Sequence, residues 1–211
     1  MSIIKLDHIN KTIGQKMILN DISLELDEQL VYGFAGPNGS GKTMLLKSII
    51  GFVHPTSGQV EVMGQKIRKD VLFAPTIGFS FGTEGLLPIF DGKTNLQLIL
   101  SADPKSNKYH QIEEILRLVG LDPNDRRTVK NYSLGMQQRL SIGCALINDL
   151  PIIILDEPTN GLDKKGQEFL VQLIGKLKSQ RKTVLLTSHD EAFLTKVSDQ
   201  VFNISEGQIV E

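Results

Sequence analysis

The sequence predicts an α/β fold in which helices cover a parallel sheet, with a β region ahead of it and a helical lobe inserted into it. Three observations carry the prediction. From residue 151 onward, strand-like and helix-like segments alternate, "PIIILDE", "GQEFLVQLIGKLKS", "KTVLLTSH", "DEAFLTKVSD" and "QVFNIS", the pattern of a parallel sheet with crossover helices. The run "LVYGFAG" is apolar almost throughout, as in a strand buried on both faces, and it leads through a glycine-rich turn into "KTMLLKSIIG", whose apolar spacing is helical. Between about residues 80 and 150, helical patterns dominate.

Taken in order, "IIKLDHI" and "ILNDISLEL" alternate apolar and polar residues and read as half-buried strands. The helix after Gly41 stops at Gly51. "TSGQVEVMGQ" gives a turn, a short alternating strand and a second turn. From about Phe79 to Leu150 the helical segments are "TNLQLILSA", "HQIEEILRLVGL" and "LGMQQRLSIGCALIND", with no strand-like run between them and "DPKSNK" as an exposed connection. The expected division is a single domain over residues 1–211, with residues 1–79 and 151–211 as the α/β core and 80–150 as the helical lobe.

Composition narrows the function. With 211 residues, 40% apolar and 22% charged, the chain is an ordinary globular domain. Its net charge of -1 offers no basic field for nucleic acid or an anionic membrane surface. Cys144 is the one cysteine, which excludes an internal disulfide and fits a reducing compartment. It lies in an apolar run and reads as a buried small hydrophobe. The N-terminus has no signal-peptide pattern, and no apolar run approaches the ~20 residues of a membrane span, so a soluble, cytoplasmic chain is expected.

Chemistry gathers at a few places. "GPNGSGKT", Gly36, Pro37, Asn38, Gly39, Ser40, Gly41, Lys42 and Thr43, matches the phosphate-loop pattern between a strand and a helix. Its glycines let successive N–H groups and the helix N-terminus face phosphates. Lys42 supplies a charge to the β- and γ-phosphates, and Thr43 offers a hydroxyl to Mg2+. ATP or GTP binding follows, with Met44 as the next residue along the helix. Asp156, at the carboxyl end of an apolar strand, can reach that Mg2+. Glu157, pointing elsewhere, can accept the proton of an attacking water. His189 ends another buried strand and is read as a γ-phosphate contact. His8, His54 and His110 lack such context and read as surface or turn residues.

The order GPNGSGKT, YSLGMQQR, IIILDEP, NGLD, TSH resembles the ATP-binding cassette ATPases over nearly the whole chain, and most of all the ATP-binding subunits of bacitracin- and lantibiotic-type exporters. The resemblance implies a P-loop NTPase fold, with a RecA-like parallel core, an N-terminal antiparallel β region and an inserted α-helical lobe. It implies that Gly36 to Thr43 form the Walker A loop, that Asp156 and Glu157 are the Walker B acid and catalytic glutamate, that His189 is the switch histidine, and that Asp163 is the D-loop aspartate. Ser133, Leu134, Gly135 and Met136 fall on the signature. It further implies ATP and Mg2+ as ligands and a head-to-tail pair of nucleotide-binding subunits, identical or not. Each ATP would lie between one Walker A and the partner's signature. Ser133 would open a helix whose hydroxyl and free N–H groups meet a γ-phosphate, with Gly135 permitting close approach.

Two positions depart from the family. Ile13 stands where an aromatic residue stacks on adenine. Gly82 stands where a glutamine touches Mg2+ and reports to the membrane partner, with Glu84 the nearest polar substitute. The expected role is an ATPase subunit driving export of a peptide, drug or similar compound through a separate integral membrane permease. That permease would dock around residues 80–100 and hold the subunit at the inner face of the cell membrane. A non-transport ATPase acting as a mechanical or regulatory module, or a scaffold with little turnover, are the alternatives.

Overall fold

The computed structural model describes residues 2–102 and 108–210; most of the expected "DPKSNK" connection lies outside them. Strands β1 (Ser2–Ile13) and β2 (Lys16–Asp27) form a long hairpin, and β4 (Ser57–Val62) and β5 (Gln65–Lys66) complete a four-stranded antiparallel sheet in the order β2-β1-β4-β5. A second sheet holds β3 (Val31–Ala35), β6 (Ile77–Phe81), β7 (Ile152–Asp156), β8 (Thr183–Ser188), β9 (Gln200–Ser205) and β10 (Gln208–Val210). Its order is β10-β9-β3-β8-β7-β6, parallel throughout except for β10 against β9.

The apolar runs are continuous because this sheet is covered on both faces. Ile152 and Ile154 of β7, Leu185 of β8 and Tyr32 and Phe34 of β3 join one core with α1 (Lys42–Ile50) and the antiparallel sheet. Ile153 and Leu155, Val184 and Leu186, and Val31 and Ala35 point the other way. There they meet α4 (Leu134–Leu146), α5 (Lys164–Ser179) and α6 (Glu191–Val197), beside the lobe helices α2 (Gly92–Ser101) and α3 (Ile112–Leu118). The alternate residues of each strand thus divide the protein into two cores.

One expectation needs correction. The expectation of no strand from about Phe79 onward does not hold: β6 runs to Phe81 and pairs in parallel with β7, Phe81 opposite Asp156. The sheet therefore extends past residue 79. The sequence hides this strand because Gly78 interrupts its pattern, and that glycine has a tertiary cause. A Cβ there would lie 2.0 Å from the carbonyl oxygen of Ala145, so α4 rests directly on the backbone of β6.

Candidate active site

The site grows from the carboxyl ends of β3, β8 and β7, the end at which ligands gather in parallel sheets. The chain leaves β3 at Ala35 into Gly36 at φ +144°, where a Cβ would stand 2.2 Å from the carbonyl oxygen of Ile204. Only glycine fits there. Gly41, at φ +112°, is the N-cap of α1, and no side chain caps that helix. Its first-turn N–H groups are thus left for an anion. Pro37, Asn38 and Gly39 are exposed, Ser40 and Lys42 are buried, and Thr43 and Met44 lie between.

Lys42 is held by its own loop. Its Nζ donates to the carbonyl oxygens of Gly36 at 2.6 Å and Pro37 at 3.1 Å, and lies 3.5 Å from Oε1 of Glu157. That Oε1 is buried and accepts no hydrogen bond among the described residues. The other oxygen, Oε2, is 3.1 Å from Nδ1 of His189, whose ring is exposed. Glu157 adopts φ +47°, a conformation costing a non-glycine residue about 1–2 kcal/mol. Asp156, at the end of β7, accepts from the Thr43 hydroxyl at 2.7 Å through Oδ2. Lys42, Thr43, Asp156, Glu157 and His189 are therefore brought together, although the sequence spreads them over 148 positions from 42 to 189.

The donor set suits a hard divalent cation. A hydroxyl oxygen and a carboxylate oxygen converge beside the phosphate loop, and Mg2+ takes one or two such ligands together with phosphate oxygens and water. Among the described residues no group of three or more His, Cys, Asp and Glu is arranged to hold a metal by itself. A cation bound at Thr43 and Asp156 would therefore depend on the nucleotide to complete its shell.

A family model described as ABC transporter matches residues 19–160, two thirds of the chain, from within the hairpin's second strand to just past Glu157. This chain belongs to the ABC transporter family. It is the ATPase component of that family, with the P-loop NTPase fold. It is 34% identical to an uncharacterised ABC transporter ATP-binding protein, YybJ, of Bacillus subtilis, over 96% of this chain and 92% of that one. It is 35% identical to the bacitracin transport ATP-binding protein BcrA of Bacillus licheniformis, over 100% and 69%. A third relative, the lantibiotic transport ATP-binding protein SrtF of Streptococcus pyogenes, is 34% identical over 98% and 89%. Among solved structures, the dimeric post-hydrolysis state of the ATP-binding cassette MJ0796 bound to ADP and Pi superposes with a TM-score of 0.89. It is 26% identical, over 99% of this chain and 97% of that one.

In this ABC ATPase the stretch that resembles the family signature opens α4. Ser133 is its N-cap, and the hydroxyl accepts from the N–H of Met136 at 3.2 Å. Ser133 and Leu134 are exposed. Leu134 lies over Gly161, where a Cβ would come within 2.5 Å of its side chain, and a Cβ on Gly135 would stand 3.1 Å from the Gly161 carbonyl oxygen. The leucine in the signature is thus matched by a glycine in the segment after β7. Asp163 caps α5, its Oδ1 accepting from Gly166 N–H at 2.8 Å. Leu140 of α4 and Ile147, its C-cap, are buried while Met136 and Cys144 pack on the core from its margin. Burial pushes the Cys144 thiol up to about 12.

Ile13 sits at the tip of the first hairpin, opposite Lys16 and half exposed. The cleft beside the phosphate loop, about 510 Å³, is lined instead by Met17, Ile18, Asn38, Gly39 and Glu206. Gly82 follows β6 at φ +59°, and its carbonyl accepts from the Ser141 hydroxyl, which also meets Ser80 at 2.7 Å. His8, His54 and His110 are exposed, as expected.

The sequence reading missed Thr187. Its hydroxyl donates to Oδ1 of Asp156 at 2.7 Å and accepts from the N–H of Glu157 at 2.8 Å. The available signal was a hydroxyl residue within a strand buried at every position, since a buried polar group requires a partner.

Proposed function

We propose that this ABC ATPase powers export through a separate membrane permease, and that its cargo is a peptide, drug or similar compound. The observation that carries the reading is the gathering of Lys42, Thr43, Asp156, Glu157 and His189 at the sheet ends, together with an exposed Ser133 at the start of α4. In this reading one half of an ATP site lies at the sheet, and the other half is offered at the surface to a second cassette.

In the proposed cycle, Gly36 to Thr43 wrap the phosphates, and Lys42 exchanges its loop carbonyls for phosphate oxygens. Thr43 and Asp156 would hold Mg2+, which would supply positive charge beside the phosphate oxygens. Glu157 takes the proton of the attacking water, and His189 orients Glu157 through the Nδ1 contact and reaches the γ-phosphate. Ser133, Gly135 and the start of α4 close the site from the partner, head to tail, with Asp163 nearby. A groove of about 480 Å³, lined by Lys47, Phe52, Phe79, Phe81, Glu84 and Leu86, receives the permease. Phe52 packs edge-on against Phe79 at 4.9 Å and both are exposed, as suits a site for an apolar segment. Among the described residues no helix is long and apolar enough to cross a membrane. Membrane attachment at the cytoplasmic face would then come through the permease. The cargo class is supported by the names of the bacitracin and lantibiotic transport relatives.

Co-purification from the native host tests the transport reading. A multi-span membrane protein should accompany the wild-type chain and be lost with Phe52→Asp plus Phe79→Asp, while ATP binding is retained. Failure to capture any such protein would overturn the transport reading and leave the ATPase assignment standing.

A further inference from the structure

We infer that Thr187 is a positioning residue for hydrolysis, one hydroxyl that sets the orientation of both acids after β7. The inference rests on the roles proposed for Asp156 and Glu157. Thr187 is fully buried and stands in register with Phe34 of β3 on one side of β8. On the other side, Leu155 pairs with Leu186, so Asp156 and Thr187 are level in the sheet. Both lie on the α1 face, following Ile154 and Leu185 at two-residue spacing.

A hydroxyl is one donor and two acceptor sites, and Thr187 uses both kinds on functional groups. Donation to Oδ1 of Asp156 at 2.7 Å occupies one carboxylate oxygen and leaves Oδ2 turned to Thr43, also at 2.7 Å. The metal-binding edge of Asp156 is thereby fixed between two hydroxyls. Acceptance from Glu157 N–H at 2.8 Å anchors a residue at φ +47°, which L side chains rarely adopt. That turn aims Oε1 toward Lys42, 3.5 Å away, and Oε2 toward His189, 3.1 Å away. Lose the anchor, and Glu157 is free to relax toward an ordinary strand conformation that carries its carboxylate elsewhere. Thr187 touches neither nucleotide nor water in this scheme. It acts only through its two neighbours.

Valine has the shape of threonine without the hydroxyl, so Thr187→Val tests the point directly. Turnover should fall about 10- to 100-fold, as for other groups that orient ligands from behind, while KM for ATP and the ATP affinity of the isolated chain stay within about three-fold. The Mg2+ concentration giving half-maximal turnover should rise. Thr187→Ser keeps the hydroxyl and should restore turnover to within about three-fold of wild type. If Thr187→Val does not fold, Thr187→Ala carries the same expectation of lost turnover with retained ATP binding. Wild-type turnover in the Val or Ala variant overturns the inference, as does a Ser variant no better than Val, which would mean packing alone. Glu157→Gln is measured alongside. If it keeps wild-type turnover, the role of Glu157 itself fails; if it is inactive while Thr187→Val is unimpaired, only the inference about Thr187 fails.

Discussion

Replacing Ser133 by aspartate separates its folding role as a helix cap from the role proposed for it in a shared ATP site. In the folded chain the serine hydroxyl caps α4 by accepting from Met136 N–H at 3.2 Å. Aspartate caps as well as serine, and a carboxylate at a helix N-terminus gains about 0.3–1 kcal/mol from the helix dipole. Ser133→Asp should therefore be as stable as wild type or slightly more so. In an ATP-bound pair, however, the same carboxylate would face the partner's γ-phosphate. Two unit charges about 4 Å apart repel by roughly 4 kcal/mol at the effective dielectric of a protein surface. A two-fold pair contains two such sites, roughly 8 kcal/mol together, and even if salt screening halves that sum, pairing weakens by about three orders of magnitude. The assay is analytical ultracentrifugation with ATP and Mg2+ in a Glu157→Gln background. Glu157→Gln alone should form a dimer, Glu157→Gln with Ser133→Asp should remain monomeric, and both should bind ATP equally as isolated chains. A Ser133→Asp dimer that persists with ATP would refute the shared-site geometry. A collapse of ATP affinity in the monomer would place Ser133 in its own chain's site.

Three further outcomes follow from single features. Gly78→Ala drives a Cβ to 2.0 Å from the Ala145 carbonyl oxygen; it should cost about 1–3 kcal/mol, as overpacking does, read as a lower urea midpoint at unchanged slope. Cys144, its thiol pushed up to about 12 by burial, should resist iodoacetamide at pH 8 until the chain unfolds, because the thiolate is the reactive form; rapid labelling of the native chain would contradict this. At Asp199, burial works to raise the carboxyl, but the hydrogen bonds from Lys178 and Val31 N–H together hold it below its ordinary value of 3.8. A depressed folded value stabilises fully above the unfolded one and is lost as pH falls through the folded one. Asp199→Asn should thus melt lower than wild type at pH 7, and the gap should narrow below pH 3.8.

The sequence made legible whatever depends on the local path of the chain. Gly36 to Thr43 announce a strand, a turn and a helix within a dozen residues, and Asp156 and His189 stand at the ends of buried strands. Ser133 is a helix cap by residue type alone. What stayed hidden depends on partners far along the chain. Gly78 disguises β6 because the carbonyl it makes room for belongs to Ala145. Thr187 reads as an ordinary β-branched strand residue until Asp156, 31 positions earlier, lies beside it. That Leu134 packs over Gly161 could not be read from either residue alone. The position of Ile13 could be read from its neighbours, but not that Met17 would line the cleft.

These cases share a cause in the sheet order. β8 lies between β3, which feeds the phosphate loop, and β7, which carries the two acids. It pairs with both, and from it and the residue that follows it Thr187 and His189 reach the two acids. The apolar pattern fixes which side chains face α1, since Ile152 and Ile154 point to that core and Ile153 and Leu155 to the other. A slip of one residue between β7 and β8 would reverse every one of them. The same slip would turn Asp156 away from Thr43 and part it from Thr187. The register that buries the isoleucines is therefore also the register that builds the site, so a chain that folds with its two cores filled has its acids correctly placed before any nucleotide arrives.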